Sequence, residues 1–131
     1  MMKKESILQD KSEAFAARII KLYQYLIKEE HESIIAKQIY RSGTSIGANV
    51  AESEHAQSGI DFTHKLSISL KEANETRYWL NTLHNSNYID DTGFNSMKED
   101  VEELIRILVS SIKTMKRKTA IRVMSYIIFW Q

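Results

Sequence analysis

Apolar residues recur along this chain at alternating intervals of three and four, in four separate stretches. Phe15, Ile19, Leu22 and Leu26 step in this way, with Ala16, Ile20, Tyr23 and Ile27 beside them. The spacing places each set on one stripe of an α-helix. It predicts a first helix from about Ser12 to Lys28, with Ser12 as a candidate cap. Ile35, Ile39, Ser42, Ile46 and Val50 keep the same rhythm, flanked by Ala36, Tyr40, Gly43, Gly47 and Ala51. They predict a second helix from about Ser33 to Gln57. The run Ser42-Gly43-Thr44-Ser45-Ile46-Gly47 is rich in turn residues. The apolar phase passes through it unbroken, which favours a helix, with a kink allowed there.

Gln57-Ser58-Gly59-Ile60-Asp61 reads as a stop followed by a start. Gly59 suits a left-handed cap, and Asp61 suits the N-cap of the next helix. The third helix is expected from about Asp61 to Asn85 along Phe62, Leu66, Ser69, Ala73, Thr76, Leu80 and Leu83. Ile68, Leu70 and Trp79 widen its apolar surface. The fourth starts between Asp91 and Ser96 and reaches about Lys118 along Val101, Leu104, Leu108, Ile112 and Met115. Its acids (Asp91, Glu99, Asp100, Glu102, Glu103) come early and its bases (Lys113, Lys116, Arg117, Lys118) late, matching the helix dipole. Short links between helices make antiparallel neighbours. The predicted fold is all-α, an antiparallel up-down-up-down four-helix bundle over residues 1–118. Residues 119–131 follow as an apolar tail.

Composition narrows the function. The absence of proline and the presence of only four glycines suit long helices and leave no turn punctuation for a β fold. At 43% apolar and 27% charged over 131 residues, the chain reads as one ordered globular domain. It has no cysteine, which excludes disulfides, thiolate metal sites and cysteine nucleophiles. The opening Met1-Met2-Lys3-Lys4-Glu5 is not followed by an apolar run, so it does not read as a signal peptide. No stretch approaches the roughly 18–20 apolar residues of a membrane span. Cytoplasm is the expected compartment. A net charge of +1 rules out a uniform cationic field.

Catalytic signals are absent. Glu52-Ser53-Glu54-His55 contains one Glu-x-x-His, whereas di-iron bundles use two. His31, His64 and His84 lack a Glu three residues earlier. There is no Gly-x-Ser-x-Gly elbow and no Gly-rich phosphate loop. Glu102 and Glu103 are adjacent on a helix and point apart. Neither a catalytic set, a metal site nor a cofactor is expected, and binding is the expected mode of action.

Two clusters are candidates for binding. On the second helix, Gly43, Gly47 and Ala51 form a groove of small residues. It serves either close packing within the bundle or reception of a neighbouring subunit. Beside it, Arg41, Ser45, Asn49 and Glu52 step by four, four and three as a polar ridge. The ridge is a directional interface, a solvated face, or an anion or phosphate site using Arg41 with Ser45. The second cluster is Lys113, Lys116, Arg117, Lys118 and Arg122, and no acid occurs after Glu103. It either complements the dipole or holds nucleic acid through phosphates. In the tail, Ile121, Met124 and Ile128 share helical spacing, with Tyr126, Phe129 and Trp130 close by. These suit packing on a subunit or contact with a membrane surface.

The run Gln38-Ile39-Tyr40-Arg41-Ser42-Gly43-Thr44-Ser45-Ile46-Gly47-Ala48-Asn49-Val50-Ala51-Glu52 resembles the signature of a known family. This is the four-helix-bundle family encoded in intervening sequences of bacterial 23S ribosomal RNA genes. Phe62, Leu66, Lys71-Glu72-Ala73 and Glu75-Thr76 are similar to its third helix. The resemblance covers about residues 10–118. It implies a bundle that assembles as a ring-like homopentamer, with no established catalytic residues. It also implies a relation to the accessory protein of diversity-generating retroelements, which binds a reverse transcriptase and nucleic acid. Ser53 stands where the family usually has Gly, and the apolar tail runs past the usual end.

Overall fold

A computed structural model describes residues 4–130. Helix α1 spans Lys4–Lys28, α2 Ile34–Ser53, α3 Gly59–Asn85 and α4 Asp91–Phe129. Each helix packs on the next, and α4 returns to α1, while the backbones of the diagonal pairs stay apart. This is the antiparallel up-down-up-down bundle that the four seams require.

The core is built from those seams. Phe15, Ile19 and Leu26 of α1, Ile39, Ile46 and Val50 of α2, Leu66, Leu80 and Leu83 of α3, and Val101, Leu104 and Leu108 of α4 are all buried. Fully burying each such side chain contributes about 1.5–3 kcal/mol. The core also holds hydroxyls. Thr76 donates to Ser42 Oγ at 2.9 Å, and Ser69 donates to the Ile46 carbonyl at 2.9 Å. Small paired polar groups let α2 and α3 approach closely without stranding a buried donor.

The turn-like run in α2 is regular helix, and its glycines face α1. A Cβ on Gly43 would lie 2.6 Å from Ile19 Cγ1, and one on Gly47 would lie 3.3 Å from the Ser12 carbonyl oxygen. The groove is therefore filled by α1 of the same chain.

Several element ends differ from expectation. Helix α1 begins at Lys4, about two turns before Ser12. Ser12 is not a cap. It is fully buried in the seam with Leu8, and its hydroxyl donates to the Gln9 carbonyl at 3.0 Å. Helix α2 stops at Ser53, short of Gln57. Its first turn is capped by Glu32, whose carboxylate accepts from the Ile35 and Ala36 amides. Gly59 does not take a left-handed conformation. It is the first residue of α3, and the left-handed positions are His31 and Asn87 in the other two links. The α3 cap is Ser58, which accepts from the Asp61 amide at 3.0 Å, while Asp61 accepts from the Gln57 amide at 3.3 Å. The arrangement resembles a capping box with Asp in the place of Glu, except that the carboxylate reaches the amide one residue before the cap. Asp90 caps α4 by accepting from the Gly93 amide at 2.7 Å.

The largest difference is the length of α4. It does not end near Lys118 but continues as helix through the tail to Phe129. Its 39 residues make a rod of about 58 Å. The other three helices have 25, 20 and 27 residues, so α4 overhangs the bundle.

Candidate interaction surfaces

The polar ridge of α2 lies along the outer edge of its contact with α3. Arg41 Nη2 reaches Glu75 Oε2 at 2.5 Å, and Nη1 lies 3.5 Å from Glu72 Oε2. Trp79 Nε1 donates to the same Glu75 oxygen at 3.2 Å. At the other end of the ridge, Lys65 Nζ pairs with Glu52 at 2.9 Å. Ser45 donates to the Arg41 carbonyl at 2.5 Å, and the Asn49 amide donates to the Ser45 carbonyl at 2.8 Å. Arg41, Ser45, Asn49 and Glu52 thus stay together as one row, and its two ends, Arg41 and Glu52, tie α2 to α3. Gly43 and Gly47 lie on the opposite flank against α1, and Ala51 is exposed.

Sequence reasoning missed the α3 side of this row. Glu72, Glu75 and Trp79 step by three and four, a signal present in the sequence, and all three are half-buried. Glu72 Oε2 is inaccessible to water and accepts no hydrogen bond within the described residues. Tyr78, packed edge-on against Trp79 at 4.9 Å, is 60% exposed. The Lys65 ammonium is held above its ordinary pKa, first by its hydrogen bond to Glu52 and then by that carboxylate's charge.

All five residues of the basic cluster are exposed on α4, and none is in an ion pair among the described residues. The helical turn divides them. Lys113 and Arg117, four apart, line a shallow cleft with Arg106 and Val109. Lys116 lines another with Ile60 and His64 of α3. Lys118 and Arg122, again four apart, stand on a further face.

At the opposite end of the bundle is an open cleft of about 650 Å³, lined by residues including Leu22, Tyr25, Glu30, His84, Tyr88 and Asp91. Tyr25 donates to Glu30 at 2.8 Å, and that bond raises the Tyr25 pKa. The His84 ring stacks on Phe94 at 4.0 Å, and its Nε2 lies 2.7 Å from Asp91. Among the described residues, no three His, Asp or Glu side chains converge as metal ligands. His55 is exposed beyond the end of α2, and its partner in the Glu-x-x-His pattern, Glu52, is paired with Lys65.

The chain matches the family described as 23S rRNA-intervening sequence protein over residues 4–110. It belongs to that family. A crystal structure from the S23 ribosomal protein family of Bacteroides thetaiotaomicron, described as a protein of unknown function, is similar to it at 50% identity. That similarity has a TM-score of 0.84 and covers 85% of this chain and 99% of the other. No curated protein matches. As an intervening-sequence protein, the chain has its Arg41–Glu72–Glu75 row inside the family match. Lys113 and everything after it lie outside.

Proposed function

We propose that this intervening-sequence protein is a non-catalytic, self-assembling binding module whose subunits meet through the face around α2 and α3. The observation that carries this reading is Glu72 Oε2. It is shielded from water beneath the surface row, accepts no hydrogen bond, and has only the Arg41 guanidinium 3.5 Å away, so it retains acceptor capacity that a partner's donor can satisfy. The surrounding chemistry suits an interface. Arg41, Trp79 and Tyr78 are clustered there, and Arg and large aromatics are enriched where subunits meet. A ring of such subunits, of the size implied by the family resemblance, then acts as a scaffold for a protein or a nucleic acid.

Light scattering on the purified chain tests this. The expected result is a defined oligomer that Arg41→Glu dissociates without loss of helix content. A monomer at tens of micromolar overturns it.

A second reading uses the basic cluster. Five exposed cations with no carboxylate partner fit a phosphate backbone, and binding of that kind weakens steeply with salt. Filter binding of generic RNA across a salt series tests it, and no retention at low salt ends it.

A further inference from the structure

Past the first turn of α3, helix α4 leaves the bundle. Gly59 closes on Met115 and Thr119. Beyond them every side chain from Ala120 to Trp130 is exposed. The apolar ones from Ile121 onward are all more than half exposed, from 53% at Val123 to 88% at Phe129. No contact within the described chain accounts for three turns of such residues.

The distribution around the helix tells what would cover them. Lys118, Arg122 and Ser125 step by four and three, forming one narrow polar stripe that Phe129 closes. Ile121, Met124 and Ile128 flank it on one side, and Tyr126, Val123 and Ile127 on the other. A single packed helix would shield one flank. A helix lying in a lipid interface shields both, with the stripe toward water. The charge agrees. Five cations lie between Lys113 and Arg122, and no acid follows Glu103. That field complements anionic headgroups. It opposes a second copy of the same segment laid alongside in parallel, which would bring five more cations and, from Lys113 on, no carboxylate. A nucleic acid would pair with the cations and leave both apolar flanks in water. Tyr126 and Trp130, with rings 5.7 Å apart, are of the type that settles at headgroup depth. No helix among the described residues is long and apolar enough to cross a membrane, so the contact is with a surface.

The geometry points to residues 113–130 as a docking element for anionic lipid surfaces. The overhang from Ala120 lies in the headgroup layer with its two flanks in the acyl boundary, and the cations at its root and along its stripe reach the lipid phosphates.

The test uses the full chain with vesicles of phosphatidylcholine mixed with phosphatidylglycerol, and with phosphatidylcholine alone. The protein is expected to sediment with the first and not the second, and to be released by salt. Lys118→Glu with Arg122→Glu should weaken binding by about tenfold or more. Ile127→Ser with Ile128→Ser should abolish binding at unchanged helix content, because neither side chain touches the bundle. In a Trp79→Phe background Trp130 is the sole tryptophan, and its emission should shift to the blue on binding. Three outcomes overturn the proposal: no sedimentation with either vesicle, binding by both double variants equal to the parent's, or tail-dependent self-association or RNA retention without vesicle binding.

Discussion

Gly43 sits where two residue-level demands oppose each other. A helical glycine costs about 1 kcal/mol relative to alanine, so Gly43→Ala should gain on propensity alone. The added Cβ, however, would fall within 2.9 Å of three atoms of Ile19, which is fully buried and branched at its own Cβ. Ile19, held in a helix to one strongly preferred χ1 by its branched Cβ, has little freedom to swing clear. Overpacking of this kind costs about 1–3 kcal/mol. Thermal melts should therefore place Gly43→Ala below the parent and below Gly47→Ala, whose nearest contact is 3.3 Å. A melting temperature at or above the parent's would contradict this.

The buried hydroxyls give a second prediction at the same scale. Thr76→Val alone leaves Ser42 Oγ without its donor and should cost about 1 kcal/mol. Ser42→Ala combined with Thr76→Val removes both polar groups and should cost less than the two single changes added together. A double-mutant cycle by urea unfolding measures the difference. The sequence showed both positions on apolar stripes, since periodicity places a residue whatever its polarity. It could not show that the two hydroxyls meet, because that depends on the register between α2 and α3.

The alkaline limb of the stability curve also belongs to single residues. Lys65 and Tyr25 both have raised pKa values in the fold, through Glu52 and Glu30 respectively. A raised pKa means that the fold favours the protonated form. Their stabilisation is complete below the ordinary values of 10.5 and 10.0 and is lost as pH rises through the folded values. Both groups are at the surface, so the effect is shallow. Melting temperatures followed from neutral pH to beyond 10.5 should fall, and Lys65→Met should flatten the decline.

At the scale of elements, the caps decide where helices begin. Ser58→Ala removes the acceptor for the Asp61 amide and should destabilise the fold by about 1 kcal/mol, readable in a urea titration. Helix interiors were legible because each seam is long and in phase. Their ends were not. Ser12 has the chemistry of a cap, yet Leu8, Ser12 and Phe15 continue the seam by four and three, so burial decided its role. Gly59 followed by Asp61 looked like a stop and a start. The cap is instead Ser58, because a serine one residue earlier aligns its hydroxyl with the Asp61 amide. The continuation of α4 was hidden because residues 119–130 are apolar on nearly every side, and periodicity needs polar contrast to be seen.

For the whole molecule, the bundle and the overhang should behave as separable contributions. No side chain from Ile121 to Trp130 is buried, so deleting residues 121–131 should change unfolding free energy by no more than about 0.5 kcal/mol. Chemical denaturation of the two forms checks this. A large loss would mean that the overhang packs where the structure leaves it exposed. The candidate interface was half legible at this scale. Arg41, Ser45, Asn49 and Glu52 stood out as one row on α2. Glu72 and Glu75 gained meaning only when α3 was laid alongside. The glycines chosen with that row belong to the contact with α1, because a helix turns Gly43 about 200° away from Arg41.

Between Phe94 and Trp130 the chain has neither glycine nor proline. Helix α4 consequently contains no joint, and its overhang is a boom fixed to the body rather than a tethered flag. A fluorophore attached at residue 125, as in Ser125→Cys, would tumble with the entire particle, and its anisotropy decay would report the size of the assembly rather than local wobble.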